Sequence, residues 1–96
     1  MSEKTEIIWK EIYNQCKEEN VWIFNLSILF IDHNWYWHDI YLNGKKIETT
    51  EQYINRDDLR ELSEAGLIKY LEELTVIKPY NSEEYYYEVL KKDFYL

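Results

Sequence analysis

The chain's 96 residues suit one domain with a modest core, since a chain of this size buries only about 60–70% of the surface it exposes when unfolded. Its 46% hydrophobic and 18% aromatic content excludes a disordered chain, and a single cysteine, Cys16, excludes an internal disulfide and fits a reducing, cytoplasmic setting. A net charge of −8 argues against direct binding to nucleic acid or to an anionic membrane, which need surplus Lys and Arg, and favours a basic protein partner steered in by the acids.

Residues 3–19 predict an amphipathic helix. Ser2 serves as N-cap, and Glu3 and Glu6 lie in the first turn, where acids suit the helix dipole. Ile8, Trp9, Ile12, Tyr13 and Cys16 recur at three- and four-residue spacing and make one apolar stripe. Asn20 stops the helix. This N-terminal stretch lacks the apolar run and small-residue cleavage site of a signal peptide. The longest apolar-rich run, VWIFNLSILFI, has eleven residues and is too short to cross a bilayer as a helix.

Residues 21–31 predict a strand with Trp22, Phe24, Leu26, Ile28 and Phe30 on one face and Ile23, Asn25, Ser27, Leu29 and Ile31 on the other. Asp32-His33-Asn34 reads as a three-residue hairpin loop with Asn34 left-handed. Setting Ile31 against Trp35 then pairs Phe30 with Tyr36, Ile28 with His38, Leu26 with Ile40 and Phe24 with Leu42, one continuous apolar row. Asn43-Gly44 is a hairpin signal that sets Ile40 against Ile47 in a third strand over residues 45–49. This places Asp39 near Glu48, a like-charge pair, while Lys45 and Lys46 blunt the edge.

Thr49 or Thr50 is one start for a second helix, Thr49-Thr50-Glu51-Gln52 fitting a capping box loosely; Asp57 and Asp58 are alternative starts. The helix runs through Leu59, Leu62 and Ala65. Either Gly66 ends it and Leu67 begins a strand, or it continues to about Glu72. Residues 74–80 and 84–91 predict a final hairpin around Asn81-Ser82, with Pro79 off the ladder and Tyr85, Tyr86 and Tyr87 on both faces. The tail Asp93-Phe94-Tyr95-Leu96 is expected to dock on the domain. The order is α-β-β-β-α-β-β, a single α+β domain over residues 1–96 with an antiparallel sheet packed against two helices.

The α-β-β-β-α order from residue 3 to about 72 resembles double-stranded RNA-binding domains. The segment 55–92, with RDDLRELSEAGLI and a hairpin ending YYYEVLKK, resembles the last helix and wing of a winged-helix domain. The first family uses lysines at the start of its second helix, where Asp57 and Asp58 stand. The second uses a basic recognition helix, whereas residues 55–65 hold four acids against two arginines. The resemblances imply shared shape, with a winged-helix accessory factor as the alternative function.

His33 and His38, flanked by Asp32 and Asp39, are metal-competent types. The hairpin register sends His38 inward and leaves His33 in the turn, so no metal or cofactor is expected. Cys16 lies on the apolar stripe, the place of an inert thiol, and the acid pairs Asp57-Asp58, Glu72-Glu73 and Glu83-Glu84 are neighbours rather than opposed across a cleft. No catalytic role is expected.

Two features remain. Trp35, Trp37 and Tyr41 share the second sheet face with Asp39 and Glu48; a helix covers them, or they form an aromatic surface with an acidic rim. Residues 48–64 (Glu48, Asp57, Asp58, Glu61 and Glu64 among them) and residues 72–88 (Glu83 and Glu84 among them) each carry −4; these acids are solvated faces or mimics of spaced phosphates. The functional expectation is a non-catalytic acidic protein that blocks a basic nucleic-acid-handling protein or a nuclease toxin, similar in kind to anti-CRISPR and immunity proteins. Exposed strand edges leave a homodimer open.

Overall fold

The computed structural model describes residues 1–32, 35–76 and 81–90, with side chains for all of these except 74–76. Helix α1 spans Glu3–Glu19. Ser2 Oγ accepts the Thr5 N–H at 3.2 Å, and Asn20 closes the helix in the left-handed region at φ 56°, donating its N–H to the Cys16 carbonyl. The caps fall where Ser and Asn are chemically favoured, so the helix begins and ends as its sequence predicts.

The strands are β1 (Ile23–Asp32), β2 (Trp35–Leu42), β3 (Lys45–Ile47), β4 (Ile68–Val76) and β5 (Ser82–Val89), with α2 (Arg56–Glu64) between β3 and β4. They form one five-stranded sheet in the order β3-β2-β1-β5-β4, and every neighbouring pair is antiparallel. The element order and α+β class are those expected.

The predicted β1–β2 register holds at Phe24–Leu42, Leu26–Ile40, Ile28–His38 and Phe30–Tyr36. It fails at the tip. A register shift after Phe30 sets Asp32, not Ile31, opposite Trp35, so β1 extends through Asp32 and the expected three-residue loop is shorter; residues 33–34 lie outside the described residues. Asn43 and Gly44 both take positive φ, 52° and 81°, the signature of a type I′ turn that matches strand twist. This turn sets Ile40 against Ile47. Strand β3 stops at Ile47, short of the expected residue 49, and the feared Asp39–Glu48 clash is replaced by a Lys46 Nζ–Asp39 ion pair at 3.5 Å.

Neither Thr49 nor Thr50 caps a helix. Thr49 Oγ1 instead donates to the Glu51 carbonyl at 2.9 Å, and Tyr53 adopts φ 56°, which breaks any helix there. The cap is Asn55, whose side chain accepts the N–H groups of Asp57 and Asp58 while Asp58 accepts the Asn55 N–H, a capping box shifted from the predicted place. Gly66, at φ 78°, ends α2 rather than letting it run to Glu72. Strand β4 therefore starts at Ile68, well before residue 74, and β5 spans Ser82–Val89 rather than 84–91. Pro79 and the tail from residue 91 lie outside the described residues.

The core lies on one side of the sheet. Ile8, Trp9, Ile12 and Cys16 of α1 and Leu59 and Leu62 of α2 are fully buried against Phe24, Leu26, Ile40, Tyr85, Tyr87 and Val89. Strand side chains alternate between faces, and these sheet residues all belong to one face, so both helices pack on that face. His38, on the same face, donates from Nδ1 to the Ile54 carbonyl oxygen at 2.8 Å, anchoring the chain before α2. The helices are tied to each other at their ends. Glu61 accepts the Ser2 N–H at 2.5 Å and the Thr5 hydroxyl at 2.9 Å, and Lys4 pairs with Asp58 at 3.1 Å.

Candidate functional site: the uncovered face of the sheet

With both helices on one side, the opposite face carries no helix among the described residues. Register places its side chains in rows across the strands. Tyr41, Asn25 and Tyr86 form one row, with Asn25 between the two tyrosines; Asp39, Ser27 and Glu84 form the next; Trp37, Leu29 and Ser82 the third. Large apolar groups stand in solvent here: Ile23 and Trp37 are 46% and 45% exposed. Single exposed apolar residues are ordinary; here they share a face with the half-buried rings of Tyr41 and Tyr86.

A carboxylate sits in the middle of this face. Glu84 Oε1 accepts Asn25 Nδ2 at 2.8 Å, and Glu84 Oε2 accepts Ser27 Oγ at 2.6 Å. Asn25 is thereby satisfied although buried, as a buried amide must be. Around Glu84 runs a groove of about 600 Å³, walled by Val21, Ile23, Tyr41 and Tyr86 and floored by Asn25 and Ser27. Asp39, opposite Ser27 in the register, is paired with Lys46. Burial raises the Tyr41 phenol above its ordinary value, with Asp39 and Glu84 adding to the rise and Lys46 opposing it. The local field is negative.

A second, smaller hollow of about 190 Å³ opens where β3 ends early, between the free edge of β2 and the segment that follows β3, with Trp37, Asp39, Glu48 and Tyr53 on its rim. Trp35 is 52% exposed; beyond the register shift it borders a shallow depression with Tyr36, His38 and Tyr53, residues of the helix side.

The residues singled out from sequence thus separate. Trp37, Asp39, Tyr41 and Glu84 are brought together on the uncovered face, and Glu48 stands exposed at its margin. The α2 acids are elsewhere and mostly committed: Asp58 to the cap and Lys4, Glu61 to Ser2 and Thr5, Asp57 to Arg60 at 3.1 Å, with Glu64 exposed. Glu83 accepts the Tyr85 hydroxyl, on the side away from the groove. The acids do not form a single file of spaced charges. Tyr86 was not singled out in the sequence, although its place between Tyr85 and Tyr87 puts it on the face opposite theirs.

Among the described residues no three His, Cys, Asp or Glu side chains converge as a metal site. Cys16 is wholly buried, and burial pushes its thiol up to about 12, so it is a packing group and not a thiolate nucleophile. No helix of the described residues is long and apolar enough to cross a membrane. Comparisons with protein-family models, curated proteins and solved structures return no match.

Proposed function

We propose that this chain is a non-catalytic binding protein that docks a basic protein on the uncovered face of its sheet. The observation that carries the reading is the position of Trp37, Ile23 and Tyr41 on a face without a helix, with Glu84 and Asp39 among them. Aromatic and aliphatic groups supply area on docking and acids select the sign of the partner. The net charge of −8 also disfavours self-association through this face, since two copies would bring like charge together. The partner is a nucleic-acid-handling protein or nuclease, whose Lys/Arg groove the acidic face fills. Against the winged-helix alternative, α2 opens with Asp57 and Asp58, and β4 and β5 lie within the five-stranded sheet instead of standing out as a wing.

The test is parallel capture from the native host by three immobilised forms: wild type, a face variant (Trp37→Lys with Tyr41→Lys), and an α2 variant (Asp57→Lys with Glu64→Lys). A basic protein retained by wild type and the α2 variant and lost by the face variant is the expected result. Retention of a partner that depends on α2 and not on Trp37 and Tyr41 overturns the reading, as does binding of random duplex DNA at physiological salt.

A further inference from the structure

The groove on the uncovered face has the chemistry of an amino-acid side-chain seat. Glu84 is its one acid. A carboxylate has about four acceptor positions, and Asn25 and Ser27 use one on each oxygen. The bonds shown among the described residues leave one acceptor position on each oxygen unused. Among the described residues no Lys or Arg forms an ion pair with Glu84, and Lys46 of this face is held by Asp39. The two protein donors also fix the carboxylate's plane, so it is preorganised before anything binds. Tyr41 and Tyr86 flank Asn25 on either side. Strands about 4.8 Å apart put the two tyrosines roughly 10 Å from each other, enough to admit a flat group between their rings.

We propose that this groove takes one arginine side chain of the protein partner, the guanidinium forking onto the two oxygens of Glu84 between Tyr41 and Tyr86. The inference rests on the uncovered face being the docking surface and names its anchor. Arginine fits better than lysine for three reasons. Its planar fork matches paired carboxylate positions, it stacks on aromatic rings, and it is more weakly hydrated than an ammonium. Val21 and Ile23 line the approach and suit the methylene stem, which packs on apolar surface while the head is bonded.

The experiment titrates the full ¹⁵N-labelled chain at low salt with N-acetyl-arginine methylamide, and separately with the lysine counterpart, following backbone amides by NMR. Saturable shifts confined to Asn25, Ser27, Tyr41, Glu84 and Tyr86 are expected, with the lysine probe weaker by about threefold or more. Glu84→Gln keeps the side chain's shape and should weaken the arginine probe about tenfold or more, the scale of a lost charge-assisted fork. Tyr86→Leu should weaken it less. A dispersed spectrum establishes that each variant is folded, and Tyr41→Leu gives a second route should Glu84→Gln not fold. Equal titration of wild type and Glu84→Gln, equal shifts with both probes, or shifts centred on α2 overturn the assignment, even where capture has returned a basic partner. If the arginine probe seats in the groove while capture returns no basic protein, the arginine seat stands and the function proposed above falls.

Discussion

Two tryptophans on opposite sides of the sheet should respond very differently to substitution. Trp9 is fully buried among α1, α2 and the sheet, with its ring 5.4 Å from that of Tyr13. Its Nε1 has no hydrogen-bond partner among the described residues, so its removal leaves no polar group stranded. Trp9→Ala should cost about 3–5 kcal/mol, the usual range for deleting a large core aromatic with partial collapse. Trp37 is 45% exposed. About half of a side chain that spans roughly 150–250 Å² is therefore out of water, which at about 25 cal/mol/Å² amounts to about 2–3 kcal/mol. That is an upper bound, because the unfolded chain already hides part of this area. Trp37→Thr keeps a β-branched group that covers some of the same surface, leaving a net cost of about 1–1.5 kcal/mol. For a domain this size 1 kcal/mol is worth about 5 °C, so the two variants should melt about 20 °C and about 6 °C below wild type. Urea and thermal unfolding should be followed by far-UV circular dichroism, since fluorescence changes with every indole removed. Trp9→Phe, with an intermediate loss, covers the case in which Trp9→Ala does not fold. A Trp37→Thr cost as large as that of Trp9→Ala would mean that this face is buried, and the reasoning about an uncovered face would be refuted.

Glu61 links the two helices by accepting the Ser2 N–H and the Thr5 hydroxyl, and these bonds hold its carboxyl below its ordinary value of 4.5. A depressed folded pKa contributes stability that is present above the unfolded value and lost as pH falls through the folded one; Glu61→Gln should therefore flatten acid unfolding below about pH 4.5 relative to wild type, and identical acid curves would contradict this. Gly66 sits at φ 78° with nothing within 4 Å of where a Cβ would point, so Gly66→Ala should cost about 1 kcal/mol from backbone strain alone, read as a drop of about 5 °C in Tm. Asn55→Ala removes the one side-chain oxygen that accepts the N–H groups of both Asp57 and Asp58 at the start of α2 and should cost about 1 kcal/mol; a neutral result would show that the cap is dispensable. Cys16, fully buried with its thiol pushed up to about 12, should stay inert to a disulfide reagent at pH 8 until the protein is unfolded in denaturant, and rapid labelling of the native protein would show that α1 opens.

What was readable in advance was local. Period-two alternation in residues 22–31, joined to an Asn-Gly turn, determined two registers, because slipping either by one residue would turn every core side chain outward. The start of α2 was readable only as a choice between Thr49-Thr50 and Asp57-Asp58, the second being within a residue of the observed start at Arg56. Thr49-Thr50-Glu51-Gln52 offers capping chemistry as good as that of Asn55 and Asp58, and the choice is made by a left-handed Tyr53 and by the bond from His38 to Ile54, neither of which leaves a mark on the local pattern. Strand β4 was partly hidden for a similar reason: Leu67, Leu71 and Leu74 also repeat at helical spacing, and only pairing with β5 makes Ile68 and Tyr70 strand residues. The site was legible in part. Trp37, Tyr41 and Asp39 share a face by alternation within β2. Glu84 joins them through partners 59 and 57 residues away, which requires β5 to sit beside β1, a long-range choice that no local rule dictates. Asp58 is structural through its capping box with Asn55 and its pair with Lys4, and Glu61 through Ser2 and Thr5, contacts between α1 and α2 that the local pattern does not show.

The claim at the centre of this account is that the partner covers the sheet face opposite the helices. Hydroxyl-radical footprinting of the chain, alone and bound to its captured partner, measures this directly. Oxidation of Trp37, Tyr41 and Tyr86 should fall on binding, while Tyr53, 59% exposed beside His38 on the helix side, should be unchanged. Protection of Tyr53 with Trp37, Tyr41 and Tyr86 still freely oxidised would contradict it.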